Sequence, residues 1–325
     1  MVGPLGGEDP AVSGILVSGL INIEVTLGVD AFPVAYSPVR YPFFGVNSSV
    51  SGVGYNVAKA LTTLGSEIRF LSITGQDLAG DLVRHSLAAD GISGRFVVQS
   101  MEHTPHSVIL YDPDGRRQIN VDLKDVQEQI YPVALFDQAL AECSLATLCN
   151  VNFSRPLLHR AQRAGIAIAT DVHAVSDLED DYNRAFMAAA DILFMSDELL
   201  PCSPEAWVRQ VLDRYGVEIA VVGLGAGGAL LAVRSDGFLQ RIPAVRTREV
   251  VNTIGAGDAL FSAFVHAYHR TRDPYQAIQK ALVFASYKIG TTGAADGFLD
   301  EKGLDDLYAE TLRRSGALLP VNPAC

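Results

Sequence analysis

Asn252-Thr-Ile-Gly-Ala-Gly-Asp258, continued by Ala259-Leu-Phe-Ser-Ala-Phe-Val-His-Ala-Tyr268, decides how this chain is read. Gly255 and Gly257 allow a tight turn with inward-facing amides. The apolar run from Ala259 reads as a buried helix whose N-terminus carries partial positive charge. Such a helix tip is a seat for an anion. Asp258 stands at its start, placed to take a proton from a hydroxyl that attacks the anion. The plainer reading of the same residues is a glycine turn in which Asp258 caps the helix.

Working outward, apolar runs suited to buried strands recur at Gly14 to Gly19, Ile68 to Ile73, Ser144 to Leu148, Ile166 to Thr170, Ile192 to Met195 and Val217 to Val222. Helical patterns lie between them. Over Asn56 to Leu64, the residues Val57, Ala60, Leu61 and Leu64 fall on one helix face, and Gly65 supplies a stop. The alternation predicts a mostly parallel sheet covered by helices on both faces. Two segments break the rhythm. Val25 to Ser49 holds Pro33, Pro38 and Pro42 among aromatic and β-branched residues, which predicts extended chain. Thr104 to Asp122 reads as a hairpin, with strands Ser107 to Tyr111 and Gln118 to Val121 around the turn Asp112-Pro-Asp-Gly115. Together they suggest a small inserted β-sheet acting as a lid. The expected division is an α/β body of residues 1–24, 50–103 and 123–325, and a lid of residues 25–49 and 104–122.

Composition narrows the function classes. With 49% hydrophobic and 19% charged residues in 325, the chain is globular, and its apolar stretches are too short or interrupted to span a bilayer. The N-terminus shows no basic region followed by an apolar leader, so the cytoplasm is the expected compartment. A formal charge of -12, with no basic cluster, argues against nucleic acid as a partner. Cys143, Cys149, Cys202 and Cys325 fit neither a disulfide framework nor zinc spacing and are expected to be buried free thiols.

A second glycine-rich stretch, Ser51-Gly-Val-Gly-Tyr-Asn56, leads into Val57-Ala-Lys-Ala-Leu-Thr-Thr-Leu-Gly65, with Gly75-Gln-Asp-Leu-Ala-Gly80 downstream. It resembles the N-terminal signature of the PfkB, or ribokinase-like, family, and the stretch ending at Asp258 resembles that family's second signature. Paired motifs in the right order are far more specific than either one. The resemblance runs from Val17 to about Gly297. It implies a Rossmann-like α/β domain with a β lid, ATP and Mg²⁺ as cofactors, and transfer of a γ-phosphoryl to the hydroxymethyl group of a sugar or nucleoside. By position, Asp258 matches the catalytic base, and Gly255, Ala256 and Gly257 match the anion hole. Gly52 and Asn56 match the substrate turn, Asn22 an asparagine near the substrate, and Glu24 a carboxylate that holds sugar hydroxyls. Gly225 and Gly228, in Val222-Gly-Leu-Gly-Ala-Gly-Gly228, are expected beside the nucleotide with Thr253 and Gly293.

The sequence also departs from the family pattern. Asn252 replaces an acidic residue, which puts the monovalent-cation loop of many relatives in doubt. Val53 replaces the lysine of ribokinases proper, so ribose is not favoured. The magnesium-associated N-x-x-E motif is not intact at Met195-Ser-Asp-Glu-Leu199, which leaves Glu198, or Asp197, acting through water. A nucleoside kinase and a catalytically impaired ligand-binding homologue are the alternatives. The aromatics Phe32, Tyr36, Tyr41, Phe43 and Phe44 would suit a stacked base. A homodimer through the lid is plausible because an exposed strand edge invites pairing.

A rival motif exists. Gly223, Gly225 and Gly228 satisfy the dinucleotide fingerprint, with Glu249 at a suitable distance, but Ala229 to Gly237 reads as a strand entering a turn where the fingerprint needs a helix. The Walker GxxxxGK[ST] pattern is absent. Arg116 and Arg117 are expected in a solvated turn rather than on a phosphate. His266 and His269 are expected in core or surface roles rather than on a metal. Asp171 and His173 follow a strand end, where α/β sheets bind ligands. Tyr55 is open between packing and substrate contact.

Overall fold

The computed structural model describes residues 14–315, so the leader reading at the N-terminus and Cys325 fall outside it. The strands are β1 (Gly14–Ser18), β2 (Asn22–Gly28), β3 (Val46–Ser51), β4 (Ile68–Gly75), β5 (Val97–Met101), β6 (His106–Tyr111), β7 (Arg117–Asp122), β8 (Cys143–Leu148), β9 (Ala167–Ala174), β10 (Ile192–Ser196), β11 (Ile219–Gly223), β12 (Ala229–Val233) and β13 (Phe238–Ile242). The helices are α1 (Val53–Thr63), α2 (Leu78–Ala89), α3 (Val133–Leu140), α4 (Arg155–Arg163), α5 (Arg184–Ala189), α6 (Pro204–Tyr215), α7 (Ala256–Thr271), α8 (Pro274–Lys288) and α9 (Glu301–Ser315).

The six apolar runs form six adjacent strands of one sheet, whose order is β13-β12-β11-β10-β9-β8-β1-β4-β5. Pairing is parallel from β11 across to β5, while β12 and β13 join as antiparallel edge strands. Side chains alternate between two cores, as the pleat requires. Ile15, Val17, Ile192 and Phe194 join the core under α1, α2, α7, α8 and α9. Leu16, Leu193 and Met195 join the core under α3 to α6. Phe194 meets Phe261 and Phe264 of α7 edge-on, with ring centroids 5.0 and 5.2 Å apart. Both faces are therefore covered, and functional side chains are left to gather at the strand ends.

A second, four-stranded sheet has the order β3-β2-β6-β7. The hairpin of β6 and β7 lies where the turn residues place it, with Gly115 at φ 84. The segment from Val25 to Ser49 is extended only at its ends, in β2 and β3, with irregular chain between. The small sheet also takes in Asn22 to Glu24 and Val50 to Ser51, which puts two candidate site residues, Asn22 and Glu24, on its strand β2.

Helix α1 starts at Val53, three positions before the expected Asn56, because Gly52 supplies its N-terminal boundary at φ 101. A side chain at Gly52 would meet the Leu20 carbonyl oxygen at 2.7 Å. Only glycine fits there, and the early start brings Asn56 into the first turn. Two strands, β5 and β13, carry too little apolar pattern to stand out in the sequence. Cys143 and Cys149 are buried thiols, but Cys202 is exposed, contrary to expectation, because it precedes α6 in a surface loop. No described helix is long and apolar enough to cross a membrane.

Candidate active site

Helix α7 begins at Ala256, with Gly255 before it in the left-handed region at φ 74. A Cβ at Gly255 would lie 2.5 Å from the Ala294 carbonyl oxygen, so the turn packs directly on the loop after α8. Ala256 donates its amide to the Thr253 carbonyl at 3.2 Å. That takes the Ala256 amide out of the expected anion hole, whereas the first-turn amides of Gly257 and Asp258 have no intrahelical acceptor. Nothing lies within 4 Å of a Cβ built on Gly257, so this end of the helix is open.

Asp258 is half-buried in the first turn of α7. Its Oδ2 accepts a 2.7 Å hydrogen bond from Asn56 Nδ2, which joins the two glycine-rich stretches across 202 residues. Ser51 Oγ lies 3.2 Å from Asn56 Oδ1 and 3.0 Å from Glu24 Oε2, and its single proton serves one or the other. Asp258 therefore sits at the end of a chain of polar side chains running from the small sheet to α7. Desolvation raises the Asp258 pKa above the usual carboxylate value, against the lowering effect of Asn56. His173 also favours its charged form, and Asp171 opposes it. These two residues, at the end of β9, therefore stand within electrostatic reach of the candidate base.

Asn22 and Glu24 are buried on β2. Burial raises the Glu24 pKa, with the Ser51 hydrogen bond opposing. Asn22 Oδ1 and Glu24 Oε1 are buried without a well-formed hydrogen bond among the described residues, although the Ala294 amide stands near enough to the Glu24 carboxylate to favour its charged form. Buried acceptors are normally paired, so two such atoms side by side on one strand need donors from elsewhere.

The lid hairpin reaches the same place. Arg117 Nη1 donates to Thr253 Oγ1 at 3.2 Å, and Nη2 lies 3.8 Å from Glu198 Oε1. Arg117 is thus not the solvated turn residue expected, while Arg116 is, paired with Asp112 and Asp114 within the turn. Tyr111, Arg117, Asn252, Thr253 and Ile254 line a cavity of about 120 Å³ between hairpin and turn. A larger cavity, about 490 Å³, lies by Cys143 and Arg160 at the opposite strand ends and takes no part in this site.

Glu198 follows β10 and is mostly exposed, with the distant Arg117 as its one ion-pair partner among the described residues. Its carboxylate accepts no hydrogen bond among the described residues. No group of three or more metal-binding side chains exists among the described residues. Mg²⁺ commonly takes only one or two protein carboxylates and completes its shell with water and substrate phosphates, so Glu198 fits such a partial set.

Gly225 and Gly228 bracket a short 3₁₀ turn after β11, and the chain continues as β12. No helix opens there, which removes the dinucleotide fingerprint. Gly228 is required by packing, since its Cβ would fall 2.1 Å from the Ile242 carbonyl oxygen. Gly293 lies in the loop after α8, which Asn252 ties to the second signature through a 2.7 Å bond from its Nδ2 to the Thr292 carbonyl.

His266 and His269 are core histidines, bonded at 2.8 Å to Ser66 and Ser144 respectively. Tyr55 packs, with its hydroxyl donating to Asp90 away from the site. Sequence reasoning missed Lys288, which is fully buried at the end of α8 and donates to the Ile254 carbonyl. A lysine closing an amphipathic helix gives no such signal, because that is where a basic residue suits the helix dipole.

With this geometry in place, comparison with known proteins is decisive. A sequence profile described as pfkB family carbohydrate kinase matches residues 13–302. The chain belongs to the pfkB family of carbohydrate kinases. It is an ATP-dependent kinase that phosphorylates an alcohol group of a sugar or sugar-like acceptor. Among its relatives is the acarbose 7(IV)-phosphotransferase of Actinoplanes sp., 26% identical over 293 residues, covering 89% of this chain and 96% of that protein. The 1-phosphofructokinase of Haloferax volcanii is 28% identical over 277 residues, covering 81% and 87%. Among solved structures, a microbiome-derived acarbose kinase superposes with a TM-score of 0.83 at 27% identity, covering 91% of this chain and 99% of that one. The ribokinase of Arabidopsis thaliana complexed with ribose and ATP superposes at 0.77 with 18% identity over 91% and 98% of the chains, a likeness of fold alone.

Proposed function

We propose that this kinase acts on a neutral, hydroxyl-rich acceptor held on β2, with Asp258 as the base that takes its proton. The observation that carries the reading is the pair of buried acceptors without a well-formed hydrogen bond, Asn22 Oδ1 and Glu24 Oε1. Acceptor-only atoms bind hydroxyl donors, and a carboxylate facing the pocket disfavours an anionic acceptor. Two relatives are named for acarbose, a carbohydrate without phosphate, whereas the 1-phosphofructokinase is named for a sugar phosphate.

Asn56 holds the Asp258 carboxylate at one oxygen, which leaves the other for the incoming hydroxyl. ATP supplies the phosphoryl group. The amides of Gly257 and Asp258, with the partial charge of the α7 N-terminus, stabilise negative charge on it. Arg117 and Thr253 close the hairpin over that end, and Gly225 and Gly293 border the nucleotide side. Glu198 would hold Mg²⁺ through water, and the ion would supply charge neutralisation at the phosphates. Residues 25–49 and 104–122, with the neighbouring ends of β2 and β3, act as a lid that excludes water. Val108, Ile119, Val121, Phe43 and Phe44 of this region are exposed, and the outer edge of β7 pairs with no other described strand. A second copy of the chain covering them would complete a dimer.

The test is turnover of ATP against a panel of neutral mono- and oligosaccharides, sugar phosphates and nucleosides. The reading expects the highest kcat/KM among neutral sugars. A preference for sugar phosphates or nucleosides would overturn it.

A further inference from the structure

Lys288 is the one fully buried lysine among the described residues, and its ammonium has the Ile254 carbonyl as its acceptor. The charges that act on it come from four separate elements: Asp258 on α7, Glu24 on β2, Asp296 in the loop after α8 and Arg117 on β7. A buried ammonium is costly, so its retention points to something that needs it.

Two consequences follow from where it sits. The Ile254–Gly255 peptide is planar and trans, so its C=O and N–H point in opposite directions. Drawing the Ile254 carbonyl inward to Lys288 turns the Gly255 N–H away from the core. The turn then offers three amides to an anion, from Gly255, Gly257 and Asp258. The second consequence concerns charge. Asp258, Glu24 and Asp171 bring negative charge to the cleft where a polyphosphate must approach, and Lys288 sits directly behind the turn.

We propose that Lys288 is a positioning residue of the phosphoryl-transfer site, fixing the Ile254–Gly255 peptide so that its N–H faces the transferred group and offsetting the charge of Asp258 and Glu24. The proposal rests on the kinase reading given above. Desolvation lowers the Lys288 pKa to about 8, against the raising effect of the carboxylates. Activity that needs the ammonium therefore falls as pH rises through that value. Stability moves the other way. The unfolded chain binds the proton more tightly over this range, so folding gains rather than loses as pH rises. A merely structural lysine would not separate the two.

The experiment compares wild type with Lys288→Met, Lys288→Gln and Lys288→Arg. Its readouts are kcat, KM for ATP, thermal midpoint, pH profile, and hydrogen exchange of the peptide containing residues 254–258. Met and Gln are expected to lower kcat by about 30-fold or more, on the scale of a lost charge-stabilising donor. They should speed amide exchange across the turn and leave the midpoint unchanged or raised. Arg, which stays charged, is expected to recover part of kcat and to lose the alkaline limb near pH 8. A folded Met variant with kcat within about twofold of wild type would overturn the proposal. So would an active Arg variant that keeps the wild-type alkaline limb. Should Met and Gln fail to fold, the wild-type and Arg profiles decide. A wild-type protein with no turnover removes the kinase reading and the proposal with it, whereas wild-type turnover beside an unimpaired Met variant removes the proposal alone.

Discussion

Replacing Asn56 with alanine removes the 2.7 Å hydrogen bond to Asp258 Oδ2 and leaves the rest of the α1 turn in place. A hydrogen bond to a charged group contributes about 1.5–3 kcal/mol. At about 1.36 kcal/mol per pKa unit, its loss raises the Asp258 pKa by roughly 1–2 units beyond a value that desolvation has already raised. The acid limb of kcat/KM therefore moves upward by roughly 1–2 pH units. On the acid side of the wild-type limb, activity falls about 10- to 100-fold, with a smaller loss at the alkaline plateau. Stability shifts in a matching direction. A carboxyl whose folded pKa is raised stabilises the fold most at low pH and loses that contribution as pH rises through the folded value. Asn56→Ala is thus most destabilised near neutrality and recovers on acidification. The assay is ADP release from the best acceptor as a function of pH, with urea melts of both proteins beside it. An acid limb that stays in place, or moves down, would refute the idea that Asn56 holds Asp258 in its charged form.

Gly255→Ala forces a side chain to within 2.5 Å of the Ala294 carbonyl at a positive φ. It should lower the thermal midpoint by several degrees and abolish most turnover, as calorimetry and steady-state rates would show. Glu24→Gln keeps an acceptor for Ser51 but presents an amide donor to the acceptor sugar. It should raise the KM for that sugar about 10- to 100-fold with the KM for ATP unchanged, a split that steady-state kinetics resolves. Lysines at Ile119 and Val121, both exposed on β7, should shift the sedimentation coefficient from dimer to monomer.

The central sheet was legible because each parallel strand is buried on both faces and reads as a continuous apolar run, as Ile192 to Met195 does. The hairpin was legible because Asp112 to Gly115 has the chemistry of a turn. The two glycine-rich stretches pointed to one site, but nothing in the sequence joins Asn56 to Asp258. That contact depends on α1 and α7 packing side by side on one face of the sheet. The place of Arg117 is hidden for a related reason. Its partner, Thr253, is 136 positions away, and a basic residue next to a Gly turn looks solvated until the hairpin is folded over the body. Lys288 was hidden because helix pattern alone places a terminal lysine in water. Its burial comes from the turn of residues 252–255 laid across the end of α8. Glycine at 228 is also required by the Ile242 carbonyl packed against it, a tertiary contact that periodicity does not reveal.

Asp258→Asn is an isosteric change that keeps a polar group beside Asn56 and removes the base. With ATP and the best neutral acceptor, kcat should fall by about 10²- to 10⁴-fold while calorimetric binding of both substrates changes little. A variant that binds both and turns over within about twofold of wild type would contradict the assignment of Asp258 as the group that takes the proton.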